Sequence, residues 1–159
     1  MIIILNGSIN SGKSTVAKIL QEKTPHTAYV EVDELRRFID WMDGEKAYPL
    51  SVENALLVTK NFVKKDLNVV FTYIIGEDDY KIVQEMLKDV STNVFIFTFS
   101  SDINHTLTNR GSRELTEQEL KRIQYHYDIG INNPSFGQII DNTHQTPKET
   151  AEIILKAIF

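Results

Sequence analysis

Eight consecutive residues near the start of the chain have the types and spacing needed to hold phosphate. The pattern G-x-x-x-x-G-K-[ST] is matched by GSINSGKS at positions 7–14. Gly7 and Gly12 permit backbone angles that a Cβ would disfavour, so successive amides can turn inward toward phosphate oxygens. Lys13 would place positive charge beside the β- and γ-phosphates, and the Ser14 hydroxyl would reach Mg²⁺. The pattern therefore predicts a nucleotide-binding loop; the alternative is a Gly- and Ser-rich turn that happens to contain a lysine.

The surroundings of this loop favour the nucleotide interpretation. An apolar run at 2–5 precedes it, and an amphipathic helical pattern at 13–23 follows it, so helix-dipole charge would add to the amides of the loop. The residues predicted to bind the nucleotide here are Gly7, Ser8, Asn10, Ser11, Gly12, Lys13, Ser14 and Thr15.

A second candidate group follows the second apolar run. Asp33 comes at the carboxyl end of that run, the edge at which open α/β sheets bind ligands. If a helix begins at Glu34, Asp33 and Arg36 share one face. We expect Asp33 to accept the proton of an attacking hydroxyl and to influence the waters of Mg²⁺, and Arg36 to position the acceptor. The alternative is that Asp33 is only the N-cap of the helix.

A third candidate group is a pair of arginines. Arg110 and Arg113 flank Gly-Ser just before a capping-box sequence at Thr116. Two arginines on a turn suit a lid, at about 108–116, that closes over ATP and neutralises the transferring phosphoryl group. A solvated loop between two helices is the alternative.

Other polar and aromatic residues allow weaker interpretations. Residues 34–50 are the expected acceptor region, where Arg37, Trp41 and Tyr48 would line a pocket, although Trp41 fits a helix core stripe equally well. Tyr73 and Glu77 bracket the end of the third apolar run and could face the acceptor. The acids at 77–79 are interpreted as charge at a helix start rather than a metal cluster. The four histidines are scattered, and 125–127 is interpreted as part of a helix with one wet face.

These residues would be positioned by alternating strands and helices. Apolar runs rich in Val, Ile and Phe predict strands at 2–5, 28–32, 69–75, 94–99 and 138–140. Periodicity and capping signals predict helices at 13–23, 51–65, 78–88, 117–130 and from 147 to the end. The alternation predicts a three-layer α/β domain with a mostly parallel sheet, and the absence of a linker-like tract predicts one domain over 1–159.

Composition excludes several classes of protein. The chain has 159 residues, a net charge of −5 and no cysteine, so we expect no nucleic-acid partner, no disulfide and no thiolate zinc site. The apolar run at 2–5 is too short for a signal peptide or a membrane span, and we expect a cytoplasmic protein. The D-x-x-G and N/T-K-x-D motifs of GTPases are absent, and the third apolar run lacks the Asp-Glu ending of motor and helicase ATPases.

Taken together, these motifs resemble the small P-loop kinases: the shikimate and gluconate kinase group, chloramphenicol phosphotransferase and the kinase domain of polynucleotide kinases. Asp33-x-x-Arg36 is similar to the D-x-x-R of the polynucleotide-kinase-like members, and 110–113 resembles their lid. The resemblance implies a P-loop NTPase fold with sheet order 2-3-1-4-5, and it implies that Asn142 and Thr143 lie near the adenine. The Gly-Gly-Gly of shikimate kinase is absent after the third run, as is the basic surface suited to polynucleotides.

The motifs and the resemblance together predict a magnesium-dependent kinase that transfers the γ-phosphoryl group of ATP to a hydroxyl of a small molecule. Lys13, Asp33, Arg36, Arg110 and Arg113 would carry the catalysis, Ser14 and Asp33 the metal, and Arg110 would also contact ATP. The alternatives are a regulatory nucleotide-binding module without kinase activity, and a nucleoside or nucleotide kinase. The protein is expected to be a monomer or a homodimer.

Overall fold

A five-stranded parallel sheet organises the part of the chain that the computed structural model describes, residues 1–109 and 114–159. The strand order is β2-β3-β1-β4-β5. The strands are β1 (Ile2–Gly7), β2 (Thr27–Glu31), β3 (Asn68–Thr72), β4 (Val94–Phe99) and β5 (Gln138–Ile140). The predicted α/β class and sheet order are confirmed. β1 lies at the centre, so its carboxyl end delivers the phosphate-binding sequence to the middle of one sheet edge.

Helices cover both faces of the sheet. They are α1 (Lys13–Lys23), α2 (Val32–Arg36), α3 (Gly44–Val63), α4 (Glu77–Leu87), α5 (Ile103–Thr106), α6 (Glu117–Asp128) and α7 (Pro147–Ile158), with a 3₁₀ turn at Arg37–Ile39. Within the described residues, none of these helices has the length and apolarity needed to traverse a lipid bilayer.

The core consists of two layers separated by the sheet. Every residue of β1 is buried, as expected for a strand covered on both faces. Ile2 and Ile4 pack with α3 and α4, whereas Ile3 and Leu5 pack with α1 and α7. This alternation follows from the two-residue period of a strand. It explains why an unbroken apolar run, rather than an alternating one, precedes the loop.

Capping residues set several helix boundaries, and two element boundaries differ from the predicted ones by three residues or more. Thr116 and Thr146 form the predicted capping boxes at α6 and α7. α3 begins at Gly44 rather than 51, because the Asp43 side chain accepts a hydrogen bond from the Glu45 amide at 2.9 Å. β3 ends at Thr72 rather than 75, since the chain after Thr72 leaves the sheet toward α4.

Candidate functional site

A cleft of about 660 Å³ opens at the carboxyl edge of the sheet, beside the start of α1. This is the edge where open α/β sheets bind their ligands, and the volume suits a small molecule. The residues that line it come from the loop, from α1, α2, α3, α4 and α6, and from the chain at the ends of β2, β3 and α6: Ile9, Asn10, Ser11, Gly12, Lys13, Ser14, Thr15, Glu31, Asp33, Tyr48, Thr72, Tyr73, Ile74, Asp79, Glu119, Arg122, Tyr125, His126, Ile129 and Ile131.

The phosphate loop, residues 7–14, has the backbone conformation that its glycines allow. Gly7 and Gly12 have φ values of 141° and 96°. A Cβ on Gly7 would lie 2.9 Å from the Ser11 Oγ and 3.0 Å from the Phe99 carbonyl oxygen. The Lys13 ammonium donates hydrogen bonds to the carbonyls of Gly7 at 2.7 Å and Ser8 at 2.8 Å, so its charge lies over the loop.

One polar atom inside the loop lacks a partner among the described residues. The Ser11 Oγ is buried and makes no hydrogen bond there. A buried hydroxyl without a partner is uncommon. Its position between two glycines and beside Lys13 fits an anion such as a nucleotide phosphate, because phosphate oxygens would accept its hydrogen bond. The residues present therefore fit the nucleotide that the motif predicts.

Three asparagines connect the loop to neighbouring segments of the chain. Asn6 donates to the Ile75 carbonyl and the Thr98 hydroxyl and accepts from the amides of Gly7 and Ile75, so one buried side chain joins β1, β4 and the segment after β3. Asn10 donates to the carbonyls of Thr106 at 2.9 Å and Thr108 at 3.0 Å. The third is Asn142, described next.

Asn142 lies beneath the loop, a position that the resemblance did not imply. It is 6% exposed, donates to the Ser11 carbonyl at 2.9 Å and accepts from the Ser101 hydroxyl at 2.6 Å. Thr143 donates to the Asp141 carboxylate and accepts from the Asp102 amide. The side chains of both residues already have partners in the protein, and their contact with the adenine stays a prediction.

Glu31 is a candidate site residue that the motifs did not identify. The Ser14 hydroxyl donates to one Glu31 oxygen at 2.7 Å, and the Tyr29 hydroxyl donates to the other at 2.7 Å. Burial raises the pKa of Tyr29 to about 12, so this hydroxyl stays a donor. The signal in the sequence that could have identified Glu31 is a carboxylate at the end of an otherwise largely apolar strand.

Ser14 and Glu31, which are hydrogen-bonded to each other, and Asp33 supply hard oxygen donors to the cleft. Mg²⁺ is bound through few protein oxygens and keeps several waters, so such a set fits it. The described residues contain no cluster of three or more carboxylates, histidines or cysteines arranged around one metal position. The acids at 77–79 therefore form no such site: Glu77 accepts from Ser135, and Asp79 accepts from the Gly76 amide at the start of α4.

Asp33 lines the cleft, and Arg36 lies beside it: the Arg36 guanidinium carbon is 5.9 Å from the centre of the ring of Tyr48, another residue that lines the cleft. Asp33 is exposed in the first turn of α2 and lines the cleft. Because α2 begins at Val32, Glu31 occupies the N-cap position instead of Asp33. The Arg36 guanidinium donates to the carbonyls of Ile39 at 2.6 Å and Met42 at 2.9 Å, which draws it toward the 3₁₀ turn.

Near Asp33 the cleft is lined by aromatic and apolar side chains, with the charged side chains of Asp79 and Arg122 close to them. Tyr48 and Tyr73 line it together with Ile74 and Ile131. Burial, followed by the charges of Asp79 and Asp33, raises the pKa of Tyr73. Arg122 donates to the Tyr48 hydroxyl at 3.1 Å, and its guanidinium carbon lies 5.3 Å from the centre of the Tyr48 ring.

Several predicted residues lie elsewhere. Trp41 is 78% exposed and lines neither the core nor the cleft, and Arg37 pairs with Glu34. Thr15, at the start of α1, lines the cleft, and its contact with the nucleotide stays a prediction. Arg110 and Arg113, and with them the centre of the predicted lid, fall outside the described residues.

His126 is a second cleft residue that the sequence did not reveal. It is 6% exposed, and its Nδ1 lies 3.0 Å from the Ser8 Oγ in the loop. Burial lowers the pKa of His126 to about 4, and the positive charges of Lys13 and Arg122 act in the same direction. The imidazole is therefore neutral at neutral pH. The interpretation of 125–127 as part of a helix with one wet face agrees with the structure, because these residues lie in α6 with Tyr125 exposed and His126 buried.

Comparison with solved structures places the fold among small kinases. The tunicamycin resistance protein of Deinococcus radiodurans matches with a TM-score of 0.70 and 18% identity over 99% of this chain and 94% of that one. A gluconokinase from Sinorhizobium meliloti 1021 matches with a TM-score of 0.69 and 14% identity over 98% and 90%. Shikimate kinase from Bacteroides thetaiotaomicron matches with a TM-score of 0.66 and 12% identity over 99% and 98%. At these identities the likeness shows the fold alone.

Sequence comparison gives the family. No curated protein matches the chain. Residues 1–158 match the family model described as chloramphenicol phosphotransferase-like protein. The predicted resemblance to the small P-loop kinases is confirmed, and the chain belongs to the chloramphenicol phosphotransferase-like family.

Proposed function

We propose that this protein is an ATP- and Mg²⁺-dependent kinase that transfers the γ-phosphoryl group to a hydroxyl of a small molecule. The observation that carries this proposal is that the phosphate loop, the Ser14–Glu31 pair and Asp33 all line one cleft. A nucleotide module without catalysis needs the loop alone, whereas phosphoryl transfer also needs a carboxylate near the acceptor hydroxyl.

Each group of the cleft has its own role in the proposed phosphoryl transfer. Loop amides and Lys13 bind the β- and γ-phosphates and stabilise the charge that develops during transfer. Asp33 accepts the proton of the acceptor hydroxyl. The hydroxyl oxygen forms a bond to the γ-phosphorus, and the bond between that phosphorus and the oxygen that joins it to the β-phosphate breaks. Arg110 and Arg113, in the segment predicted to act as a lid, would complete the charge stabilisation. Positioning supplies most of the rate enhancement, because little covalent chemistry falls to the protein.

Ser14, Glu31 and Asp33 would hold the magnesium ion and its waters. When bound, Mg²⁺ neutralises charge on the β- and γ-phosphate oxygens. Adding Glu31 to the predicted pair of Ser14 and Asp33 rests on its 2.7 Å contact with the Ser14 hydroxyl.

The acceptor is proposed to carry an apolar or aromatic part beside its hydroxyl. Tyr48, Tyr73, Ile74 and Ile131 form the surface next to Asp33, and such surface is more suited to rings and methyl groups than to a sugar acid. Among the structural neighbours, the gluconokinase and the shikimate kinases are named for acidic substrates. Arg122, a cation that lines the cleft beside Tyr48, would accommodate a single polar or anionic substituent. A cytoplasmic location fits a kinase that uses ATP.

The experiment is ADP release in the presence of Mg·ATP, measured against a panel of phenylpropanoid-type antibiotics, sugars, shikimate-like acids and nucleosides. One class of acceptor should stimulate release in the wild-type protein and not in Lys13→Ala. Asp33→Asn should lower the stimulated rate by about 10²-fold or more, because the proton acceptor is lost. Wild-type turnover by Asp33→Asn with the true acceptor would show that Asp33 is not the base.

The same panel tests the two alternatives. Stimulation by nucleosides or nucleotides alone would identify a nucleoside or nucleotide kinase. Tight ATP binding with no stimulation by any acceptor, together with a change of assembly state on binding, would support a regulatory module.

A further inference from the structure

We propose that His126 is a positioning residue of the phosphate loop, which acts through Ser8 on the placement of the Lys13 ammonium. The inference rests on the proposed function, because it concerns the same nucleotide site. It adds a residue from α6, a helix that the phosphate-loop motif does not include.

Two successive contacts connect His126 on α6 to Lys13 through Ser8. Nδ1 of His126 lies 3.0 Å from the Ser8 Oγ, and the Ser8 carbonyl accepts from the Lys13 Nζ at 2.8 Å. Ser8 is 1% exposed, so its hydroxyl has no solvent to replace a lost partner. The Ser8 residue is thus held by its side chain on one side and by its backbone carbonyl on the other. A shift of Ser8 would move the carbonyl on which Lys13 rests.

The chemical type of the residue suits this role. A cation at position 126 would repel Lys13, whereas a buried neutral imidazole contacts the hydroxyl without adding charge near it. Burial and the charges of Lys13 and Arg122 lower the pKa of His126, which keeps the ring neutral. The ring can serve as hydrogen-bond donor or acceptor toward Ser8, according to its tautomer.

The same contact fixes α6 against the loop. Arg122 precedes His126 by four residues, so the two lie on one helix face, and both line the cleft. The His126 carbonyl accepts from the Ile131 amide at 2.9 Å, which ties the end of α6 to the chain that follows it. Docking of His126 on Ser8 therefore also sets where Arg122 stands relative to the phosphates.

The test measures the affinity of the full-length protein for Mg·ATP by calorimetry in four variants: His126→Leu, His126→Asn, Ser8→Ala and the double variant Ser8→Ala/His126→Leu. Removal of either partner should weaken affinity about tenfold, the usual size of one buried hydrogen bond. The double variant should be no weaker than either single variant, because both remove one interaction. His126→Asn should restore affinity to within about threefold, since its amide occupies the place of Nδ1.

A second measurement separates positioning from stability. Ile123 is fully buried on the same helix, and Ile123→Val should lower the unfolding midpoint without changing ATP affinity. Wild-type ATP affinity in a folded His126→Leu protein, or additive losses in the double variant, would overturn the role of His126 alone. A wild-type protein that binds no Mg·ATP would overturn this inference and the proposed function together.

Discussion

At the scale of single residues, the contact between Ser14 and Glu31 joins the start of α1 to the last residue of β2. Tyr29 holds the other Glu31 oxygen, so the carboxylate is oriented before any ligand binds. Preorganised oxygens of this kind lower the cost of assembling a metal site. Glu31 therefore gives the cleft an acidic group that contacts the phosphate loop directly.

Glu31→Gln should raise the Mg²⁺ concentration needed for half-maximal ADP release by about tenfold, because a neutral amide binds the ion and its waters more weakly than a carboxylate does. The measurement is a Mg²⁺ titration at fixed ATP.

The matched control is Glu34→Gln, an exposed acid three residues away that pairs with Arg37 instead. Equal Mg²⁺ requirements for Glu31→Gln and the wild-type protein would remove Glu31 from the metal site.

At the scale of elements, the Asp43 cap sets where α3 begins and therefore which residues of α3 line the cleft next to the acceptor. The helix begins at Gly44 and runs through Pro49, whose missing amide hydrogen falls in the second turn. This early start places Tyr48 on a helix facing the cleft. Had α3 begun at 51, as periodicity alone predicted, Tyr48 would belong to a loop.

Asp43→Ala should lower the free energy of unfolding by about 1 kcal/mol, the usual cost of losing an N-cap side chain. Urea denaturation followed by circular dichroism measures this change. Asp40→Ala removes a nearby exposed acid that follows the 3₁₀ turn and is not the N-cap of a helix, and it should change stability by less than about 0.5 kcal/mol. Equal effects of the two substitutions would show that the Asp43 cap is not what holds the start of α3.

At the scale of the whole molecule, His126 links folding to pH. The pKa of His126 is about 4 in the folded protein, whereas the ordinary value of 6.5 applies in the unfolded chain. Between these values the unfolded chain binds a proton that the folded protein does not, so stability rises with pH across this window. As pH falls from 6.5 to 4, the folded state should lose about 2 to 3 kcal/mol through this group, since each pKa unit corresponds to about 1.4 kcal/mol.

Urea unfolding of the wild-type protein and of His126→Asn at several pH values between 4 and 7.5 measures this contribution. Hydrogen bonds lower the pKa of carboxylates such as Asp141 and Glu149, so their protonation in acid also destabilises the folded protein. This effect is the same in the wild-type protein and in the variant. The difference between the two proteins should therefore grow in favour of the variant as pH falls. Parallel stability curves would show that His126 titrates alike in the folded and unfolded states.

Local chemistry made much of this protein predictable. Continuous apolar runs marked the buried strands, and the capping boxes at Thr116 and Thr146 marked two helix starts. The glycines and Lys13 marked a loop whose conformation depends on residues within it. The boundaries that failed, at α2, α3 and β3, depend on a side-chain cap or on where the chain leaves the sheet, and the periodicity of a segment does not record either one.

The sequence alone determined the α/β class, the phosphate loop and the position of Asp33 at a ligand-binding edge, because each follows from residues that are neighbours in the chain. Only the tertiary structure decided that Glu31 meets Ser14, that His126 meets Ser8 across 118 positions, and that Asn142 supports the loop from beneath. It also turned Arg36 toward the carbonyls of the 3₁₀ turn. These outcomes depend on which helix faces pack together at one sheet edge, and no pattern within a single segment encodes a contact between segments so far apart.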